Sequence, residues 1–347
     1  MRYFSTPAGL ALLLALVTTA CEPTTPSPKT YTFGGSTMGT TFTVKVVAEN
    51  LTEANQIRLQ RLIEDELRAV NGKMSHYLED SELSQFNRSR ETTPFVVSQS
   101  TLEVFRHAAE VSALTGGAFD ITAGPLVNIW GFGPEGHAET LPSDAEIARA
   151  LERSGYDKLE IDEESSTVRK ELPDLYCDLS AIAKGYGVDR VTESLERDGL
   201  TNFMVEVGGE VRTSGTNDSG NAWRIAIEQP VPGRRAIQRM VPLSGLAMAT
   251  SGGYRNFYDV DGARFSHIID PRTGRPITHR LASVSVVDEL SVRADALATG
   301  LLVLGPEEGY KLAVEKEIRA VFIVSDEDGE LRERLTPAFE VLQNGVK

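Results

Sequence analysis

Apolar and polar positions follow two different periods along this chain, and each period predicts its own elements. The helical period is clearest from Thr52 to about Met74. A capping box of Ser143 and Glu146 opens another helix, and Ser291 is predicted to cap one that stops before Gly305. The predicted helices are 52–74, 98–114, 143–154, 180–198 and 291–304.

Alternation of apolar and polar residues predicts the strands. They are expected at 41–47, 203–207, 223–227, 282–287 and 320–324, with a hairpin of 159–161 and 167–169. Strands and helices are interleaved, but short turns join several strands, which favours an α+β fold with mixed, largely antiparallel sheets over a doubly wound parallel sheet. No glycine cluster fits a dinucleotide fingerprint or a P-loop.

The amino terminus has the pattern of a targeting segment. Arg2 precedes an apolar run at 10–17, which is too short to span a bilayer, and Cys21 follows a pair of threonines and an alanine. This resembles a bacterial lipoprotein signal, which predicts a signal peptide at 1–20, lipid on Cys21, a Pro/Thr/Ser-rich tether at 21–30 and a folded domain at 31–340. Thr18 replaces the usual Leu, so ordinary secretory cleavage near Ala20 is the alternative.

Composition narrows the function classes. The net charge of -15 argues against nucleic acid and against anionic lipid as electrostatic partners. Cys177 is the only other cysteine, so the domain has neither a disulfide framework nor a thiol cluster for a metal. Cys177 is interpreted as a buried small residue in preference to a nucleophile.

One histidine stands at a conspicuous position. Phe265, His267 and Ile269 alternate on one face of a predicted strand, which runs into a tight turn at 270–274. Only 5 of the 347 residues are histidines. From this segment alone, a reactive imidazole and a histidine that merely bonds its own turn are equally supported.

Asp295 and Thr299 are four residues apart on a predicted helix, so their side chains lie on one face. A carboxylate and a hydroxyl are hard oxygen ligands of the kind that Mg²⁺ accepts. The alternative is an acid that complements the helix dipole and a Thr that bonds back to a carbonyl.

Lys184 lies near the start of another predicted helix, where it could reach a phosphate or a carboxylate. Small neighbours such as Ala181 and Gly185 allow a ligand to approach, although tight packing on a sheet selects the same residues. Glycine-punctuated segments around Phe119, Asp120 and Tyr77 carry rings and acids suited to stacking and to hydroxyl recognition.

Taken together, these segments resemble the ApbE family of FAD:protein FMN transferases. The resemblance covers about 31–340, and the segments are STMGTTF at 36–42, MSHY at 74–77, TGGAFDITAGPLV at 115–127, DLSAIAKGYGVD at 178–189, VEVGGEVRTSG at 205–215, ATSGGYRNFY at 249–258, HIIDPRTG at 267–274 and ADALAT at 294–299. It implies an α+β fold that forms a two-lobed single catalytic unit with FAD in the cleft. It also implies Mg²⁺-dependent cleavage of FAD, with FMN left on a Thr or Ser hydroxyl of an acceptor protein and release of AMP.

The resemblance also implies roles for single residues. Asp295 and Thr299 would hold the metal by their side chains and Ala181 by its carbonyl, while His267 is the candidate general base. The residues implied to line the FAD site are Met38, Tyr77, Ala118, Phe119, Asp120, Asp178, Lys184 and Ile269.

Two other functions stay open from the sequence. Water could replace the acceptor hydroxyl, which would make the protein an FAD pyrophosphatase that yields FMN and AMP. A lipid-anchored flavin-binding protein without catalysis would need neither His267 nor Asp295. By family analogy, acceptors are subunits of Na⁺-translocating quinone reductases or Rnf-type complexes, and the expected location is the periplasmic side of the bacterial inner membrane.

Overall fold

A computed structural model describes residues 27–133, 141–231, 236–253, 257–260 and 263–345. The predicted signal peptide and Cys21 lie outside these residues. Among the described residues, the first element is a strand that begins at Lys29 and the last is a helix that ends at Gly345. Within the described ranges, no helix is both long enough and apolar enough to cross a membrane.

Eight helices are found in the described residues. They are α1 (Glu53–Met74), α2 (Glu82–Arg88), α3 (Gln99–Leu114), α4 (Gly124–Ile129), α5 (Asp144–Glu152), α6 (Ala183–Arg197), α7 (Ser291–Glu315) and α8 (Pro337–Gly345). Local signals set several of their ends. Thr52 caps α1, and Ser143 with Glu146 forms the predicted capping box of α5.

The strands follow the predicted alternation. They are β1 (Lys29–Thr37), β2 (Thr40–Ala48), β3 (Phe95–Val96), β4 (Leu159–Asp162), β5 (Thr167–Lys170), β6 (Phe203–Val207), β7 (Glu210–Ser214), β8 (Trp223–Glu228), β9 (Ile237–Leu243), β10 (Ala247–Gly252), β11 (Phe257–Val260), β12 (Ala263–Ser266), β13 (Ile269–Asp270), β14 (Arg275–Pro276), β15 (Leu281–Asp288), β16 (Arg319–Ser325) and β17 (Leu331–Leu335).

One large sheet organises the molecule. Its eight strands lie in the order β1-β2-β6-β7-β10-β15-β16-β17, and every strand pair in the described residues is antiparallel. The predicted α+β class with largely antiparallel pairing is therefore confirmed.

The sheet carries a different layer on each face because alternate residues of its strands point in opposite directions. Val284 and Phe322 pack under the helices α3, α6 and α7, whereas Val287 and Ile323 face a layer formed by the β8–β9 hairpin and α8. At the other end, α1 and α6 cover β2 and β6. Burial of these apolar faces on both sides of the sheet is the main stabilising term of the fold.

Three predicted boundaries were wrong. The helix expected from Ser180 begins at Ala183, because Ser180 donates its N–H to Asp178 in a turn. Ser291 is not a cap: Leu290 is the N-cap residue, and helical geometry resumes beyond Gly305 (φ 85°) as far as Glu315. The strand drawn through His267 is interrupted, since β12 ends at Ser266 and β13 begins at Ile269.

The first hairpin turns after a glycine pair. Gly34 and Gly35 lie inside β1. The chain turns at Met38 and Gly39, whose φ angles are 47° and 71°. This places the Met38 side chain at the tip of the β1–β2 hairpin.

Candidate active site

A lysine and two buried acids from three elements meet below the helix layer. Lys184 at the start of α6 places its Nζ 3.2 Å from Oε1 of Glu210 on β7 and 3.5 Å from Oδ2 of Asp295 on α7. The side chains of Glu210 and Asp295 are 5% and 3% exposed, so both charges are shielded from solvent. We call Lys184, Glu210 and Asp295 the charge cluster.

The neighbours of Lys184 and Glu210 affect the protonation of these two groups. Burial raises the pKa of Glu210 to about 8, against the opposing effect of Lys184. Burial alone would lower the pKa of Lys184, but Asp295 and Glu210 outweigh it and hold that pKa above its usual value. Lys184 therefore stays a cation, and Glu210 keeps its proton more readily than an exposed Glu.

Close backbone packing fixes Asp295. Its Oδ2 accepts the N–H of Gly185 at 3.0 Å. A Cβ at Gly185 would lie 2.4 Å from the carbonyl oxygen of Ser291 and 2.9 Å from the Asp295 Cβ, so only glycine lets α6 approach α7 this closely. Ala181, three residues before Lys184, lies in the turn that opens α6.

Thr299 lies one turn further along α7. Its Oγ1 is 2.9 Å from Oγ of Ser251, at the end of β10. The helix face that carries Asp295 and Thr299 thus contacts the sheet at Thr299. Their donors are hard oxygens without nitrogen or sulfur, which suits Mg²⁺ with several retained waters. A cage of three or more His, Cys, Asp or Glu side chains is absent from the described part of the chain.

A third buried acid, Asp189, holds the start of α7. Asp189 on α6 accepts the N–H groups of Ser291 (3.0 Å) and Val292 (2.8 Å) and pairs with Arg212 at 2.6 Å. Asp189 therefore accepts the first N–H groups of α7 as an N-cap side chain would, although it lies on another helix. Burial raises the pKa of Asp189 to about 6, although Arg212 and the two N–H groups oppose this shift.

A cavity of about 530 Å³ opens next to the charge cluster. Met38, Tyr77 and Lys184, three of the residues implied to contact FAD, line it together with Ala183. Tyr77 is 64% exposed, and its ring centroid lies 4.2 Å from that of His76. The cavity therefore offers an exposed aromatic side chain and a cation in its lining.

Asp178 contacts His76, which is one of the residues that line this cavity. Its Oδ1 lies 3.1 Å from Nδ1 of His76 and accepts the N–H of Ser180 at 2.8 Å. Burial opposes ionisation of Asp178, but His76 and Ser180 outweigh it and hold the pKa below its usual range. Asp178 thus orients His76, which in turn packs against Tyr77.

The segment 118–120 has a different environment. Ala118 and Phe119 are buried in the main core and do not line the cavity. Asp120 accepts the N–H and the hydroxyl of Thr122, each at 2.7 Å, and the N–H of Tyr156 at 3.0 Å. Phe119 also packs against Gly300 of α7, and contact of these three residues with FAD stays a prediction.

His267 and Ile269 lie just before the predicted turn at 270–274. The turn is present: Gly274 donates its N–H to the Asp270 carbonyl at 2.8 Å and has φ 69°. Ile269 is buried among Leu126, Trp130 and Ile147 and does not line the cavity. The His267 ring lies 6.2 Å from that of Phe132, centroid to centroid.

The segment before this turn approaches the strand that contacts Thr299. A Cβ at Gly253 would lie 2.9 Å from Oγ of Ser266, the residue before His267. Gly253 follows β10 directly, and Ser251 of β10 contacts Thr299. The chain around His267 thus meets the end of β10 that also touches α7.

Sequence reasoning missed Glu210, Asp189 and Arg212. Their partners are far along the chain, as the separation of 102 positions between Asp189 and Ser291 shows. One signal was available: Glu210 is an acid that begins a strand directly after a Gly-Gly turn, between apolar residues. Cys177 is fully buried and burial raises its thiol pKa, as expected of a packing residue.

Comparison with known proteins gives a consistent result. The model of the ApbE family matches residues 38–322. The chain is 45% identical to an FAD:protein FMN transferase of Vibrio cholerae over 92% of this chain and 94% of that protein, and 42% identical to one of Haemophilus influenzae over 96% of each.

Solved structures agree with these relatives. The flavin transferase ApbE from Vibrio cholerae superposes with a TM-score of 0.83 at 44% identity, covering 90% of this chain and 99% of that one. The apo form of Pseudomonas stutzeri flavinyl transferase ApbE gives the same TM-score at 39% identity, covering 91% and 97%.

Proposed function

The chain belongs to the ApbE family, and from this premise we propose that it transfers FMN from FAD to a Thr or Ser hydroxyl of an acceptor protein with release of AMP. The observation that carries the proposal is the position of Lys184. Lys184 lines a cavity of about 530 Å³ and pairs with Asp295, so it joins this cavity to the charge cluster. A flavin nucleotide bound there would bring its phosphates to the charge cluster.

Asp295, Thr299 and the Ala181 carbonyl are the proposed ligands of Mg²⁺. Their hard oxygens fit this ion, and both side chains are fixed from outside α7, by Gly185 and by Ser251. When bound, Mg²⁺ supplies charge neutralisation for the pyrophosphate as its P–O–P bond breaks.

The protein's own residues divide the remaining work. Met38 and Tyr77 contact the flavin ring, with Tyr77 as the exposed side chain that closes over it. An imidazole nitrogen of His267 takes the proton of the acceptor hydroxyl. The hydroxyl oxygen then forms the bond to the FMN phosphorus, and AMP leaves with the electron pair of the broken bond.

The setting of the reaction is part of the proposal. A lipid on Cys21 would hold the domain on the periplasmic side of the inner membrane, with the tether at 21–30 as spacer. Acceptors of the proposed kind are subunits of Na⁺-translocating quinone reductases or Rnf-type complexes. Radiolabelled palmitate that is incorporated by the full chain, and lost in Cys21→Ala, would support the anchor.

The central experiment is incubation with FAD, Mg²⁺ and an acceptor domain, followed by mass spectrometry of the acceptor. We expect an FMN adduct on one Thr or Ser, and no adduct when that residue is replaced by Ala. Free FMN and AMP without an adduct would identify a pyrophosphatase. FAD that stays intact with every acceptor and with Mg²⁺ would identify a flavin-binding protein instead.

A further inference from the structure

Lys184 shares the Asp295 carboxylate with the proposed Mg²⁺. Its Nζ is 3.5 Å from Asp295 Oδ2, one of the only two oxygens that this carboxylate can offer. A lysine ammonium and a divalent cation repel each other strongly at such distances in a shielded site. Full occupancy of Asp295 by the metal therefore requires Lys184 to have another partner.

Glu210 is that partner. Its Oε1 is already 3.2 Å from Lys184 Nζ, closer than Asp295 is. Its Oε2 is buried and has no hydrogen-bond partner among the described residues, so the carboxylate can accept further N–H groups of the ammonium. A lysine ammonium carries three donors on a flexible stem and can turn between two acids without moving its backbone.

The β6–β7 turn limits the positions that the Lys184 side chain can take. A Cβ at Gly208 would lie 3.2 Å from Cδ of Lys184, in the turn that leads directly into Glu210. Gly208 has φ 63°, which favours glycine and keeps this space open for the lysine stem. The stem thus lies against the β6–β7 turn, on the Glu210 side.

We propose that Lys184 is a positioning residue that neutralises Asp295 in the metal-free protein and is received by Glu210 when Mg²⁺ binds. Glu210 is a site residue of this function because it determines how easily Asp295 becomes available to the metal. This inference rests on the proposed metal role of Asp295 and Thr299. It assigns no new ligand to the metal.

The test is Mg²⁺ titration calorimetry on the folded, FAD-free domain, carried out at alkaline pH because burial raises the pKa of Glu210. In Glu210→Gln, Lys184 keeps Asp295 as its only anionic partner, so Mg²⁺ should bind about tenfold more weakly. In Lys184→Met, the competitor is gone and Mg²⁺ should bind at least as tightly as in the wild type. In the double variant, the effect of Glu210→Gln should fall below about twofold.

The double variant separates positioning from other roles. If Glu210→Gln weakens Mg²⁺ binding equally with and without Lys184, Glu210 acts on the metal directly and the proposal is overturned. An unchanged affinity in Glu210→Gln overturns it as well. Glu333→Gln is the matched control, since it removes a half-buried acid that pairs with Arg239 elsewhere, and it should leave Mg²⁺ affinity unchanged.

Asp295→Ala distinguishes failure of this inference from failure of the proposed function. If Mg²⁺ binding depends on Asp295 but not on Glu210, the metal site stands and the exchange of partners does not. If Mg²⁺ binds equally well without Asp295, or does not bind at all, both proposals fail. Thermal unfolding of each variant confirms that a lost affinity is not a lost fold.

Discussion

Thr299 is the residue at which a metal role and a structural role can be separated most cleanly. Its Oγ1 contacts Ser251, so it has a structural explanation without any metal. A hydroxyl that only ties α7 to β10 contributes about 1 kcal/mol to stability. A hydroxyl that also binds Mg²⁺ affects the metal affinity as well.

We predict that Thr299→Ser retains Mg²⁺ binding and transfer, because the hydroxyl is kept. Thr299→Val keeps the shape and removes the oxygen, so Mg²⁺ affinity should fall more than about tenfold. Calorimetry with Mg²⁺, alongside thermal unfolding, measures both effects. Equal Mg²⁺ affinity in the Ser and Val variants would exclude Thr299 as a ligand.

His267 is tested by separating the chemical step from binding. His267→Ala should slow transfer by about 100-fold or more, because the acceptor hydroxyl loses its base. FAD affinity should stay within about twofold, since His267 does not line the cavity beside Lys184. Single-turnover transfer and flavin fluorescence titration give the two numbers. Wild-type transfer by the variant would remove the assignment.

At the scale of elements, α7 is the part on which the site depends. It carries Asp295 and Thr299, and its amino end is held by Asp189 of α6. Asp189 in turn pairs with Arg212 of β7, the strand that begins with Glu210. These contacts align α6, α7 and β7 so that the three members of the charge cluster meet.

We predict that Asp189→Asn lowers the free energy of unfolding by about 3 kcal/mol, because it leaves Arg212 without its buried partner and weakens the cap of α7. Mg²⁺ affinity should fall too, although Asp189 is not a proposed ligand. Urea unfolding and calorimetry measure the two effects. Asp198→Asn, at an exposed end of α6, is the control and should have a much smaller effect on both.

The elements that the sequence predicts well have local causes. The helices α1 and α5 combine an apolar stripe with a capping side chain within the same segment, and α3 has a stripe of its own. The positions of all three were right to within two residues. The start of α6 and the cap of α7 could not be predicted, because Asp178 forms its own turn with Ser180 and Asp189 acts across 102 positions.

The candidate site divides in the same way. Asp295 and Thr299 share a helix face by simple spacing, and this was confirmed. The contact of Asp295 with Gly185 spans 110 positions and depends on how two helices cross. The spacing of residues along the sequence therefore could not predict the charge cluster with Glu210. The resemblance implies that Ala118, Phe119 and Ile269 line the FAD site. Their side chains are buried in this structure, and their contact with FAD stays a prediction.

At the scale of the whole molecule, the buried His107 and the half-buried His279 should contribute to the response to acid. Burial lowers the pKa of both His107 and His279 below the usual value of 6.5. The native state therefore keeps them neutral where the unfolded chain already binds protons. Their stabilising effect is complete above pH 6.5 and is lost as pH falls from there towards the lower native values.

We predict that His107→Leu with His279→Leu raises the free energy of unfolding at pH 5 relative to that at pH 7, compared with the wild type, in which Glu210 and Asp189 act in the opposite direction to the histidines because burial raises their pKa. Leucine fills much of the same space and cannot titrate. Urea unfolding at a series of pH values is the measurement. An unchanged slope in the double variant would show that other groups cause the acid sensitivity.

The layer formed by the β8–β9 hairpin and α8 has a practical consequence. It covers the face of the sheet opposite to α6 and α7, and Val341 on α8 is 72% exposed. A cysteine introduced at Val341 could attach the domain to a sensor surface with the flavin cavity turned outward. Buried Cys177, with its raised thiol pKa, would not compete for the coupling reagent. Immobilised in this way, the protein could capture large acceptors without steric hindrance from the support.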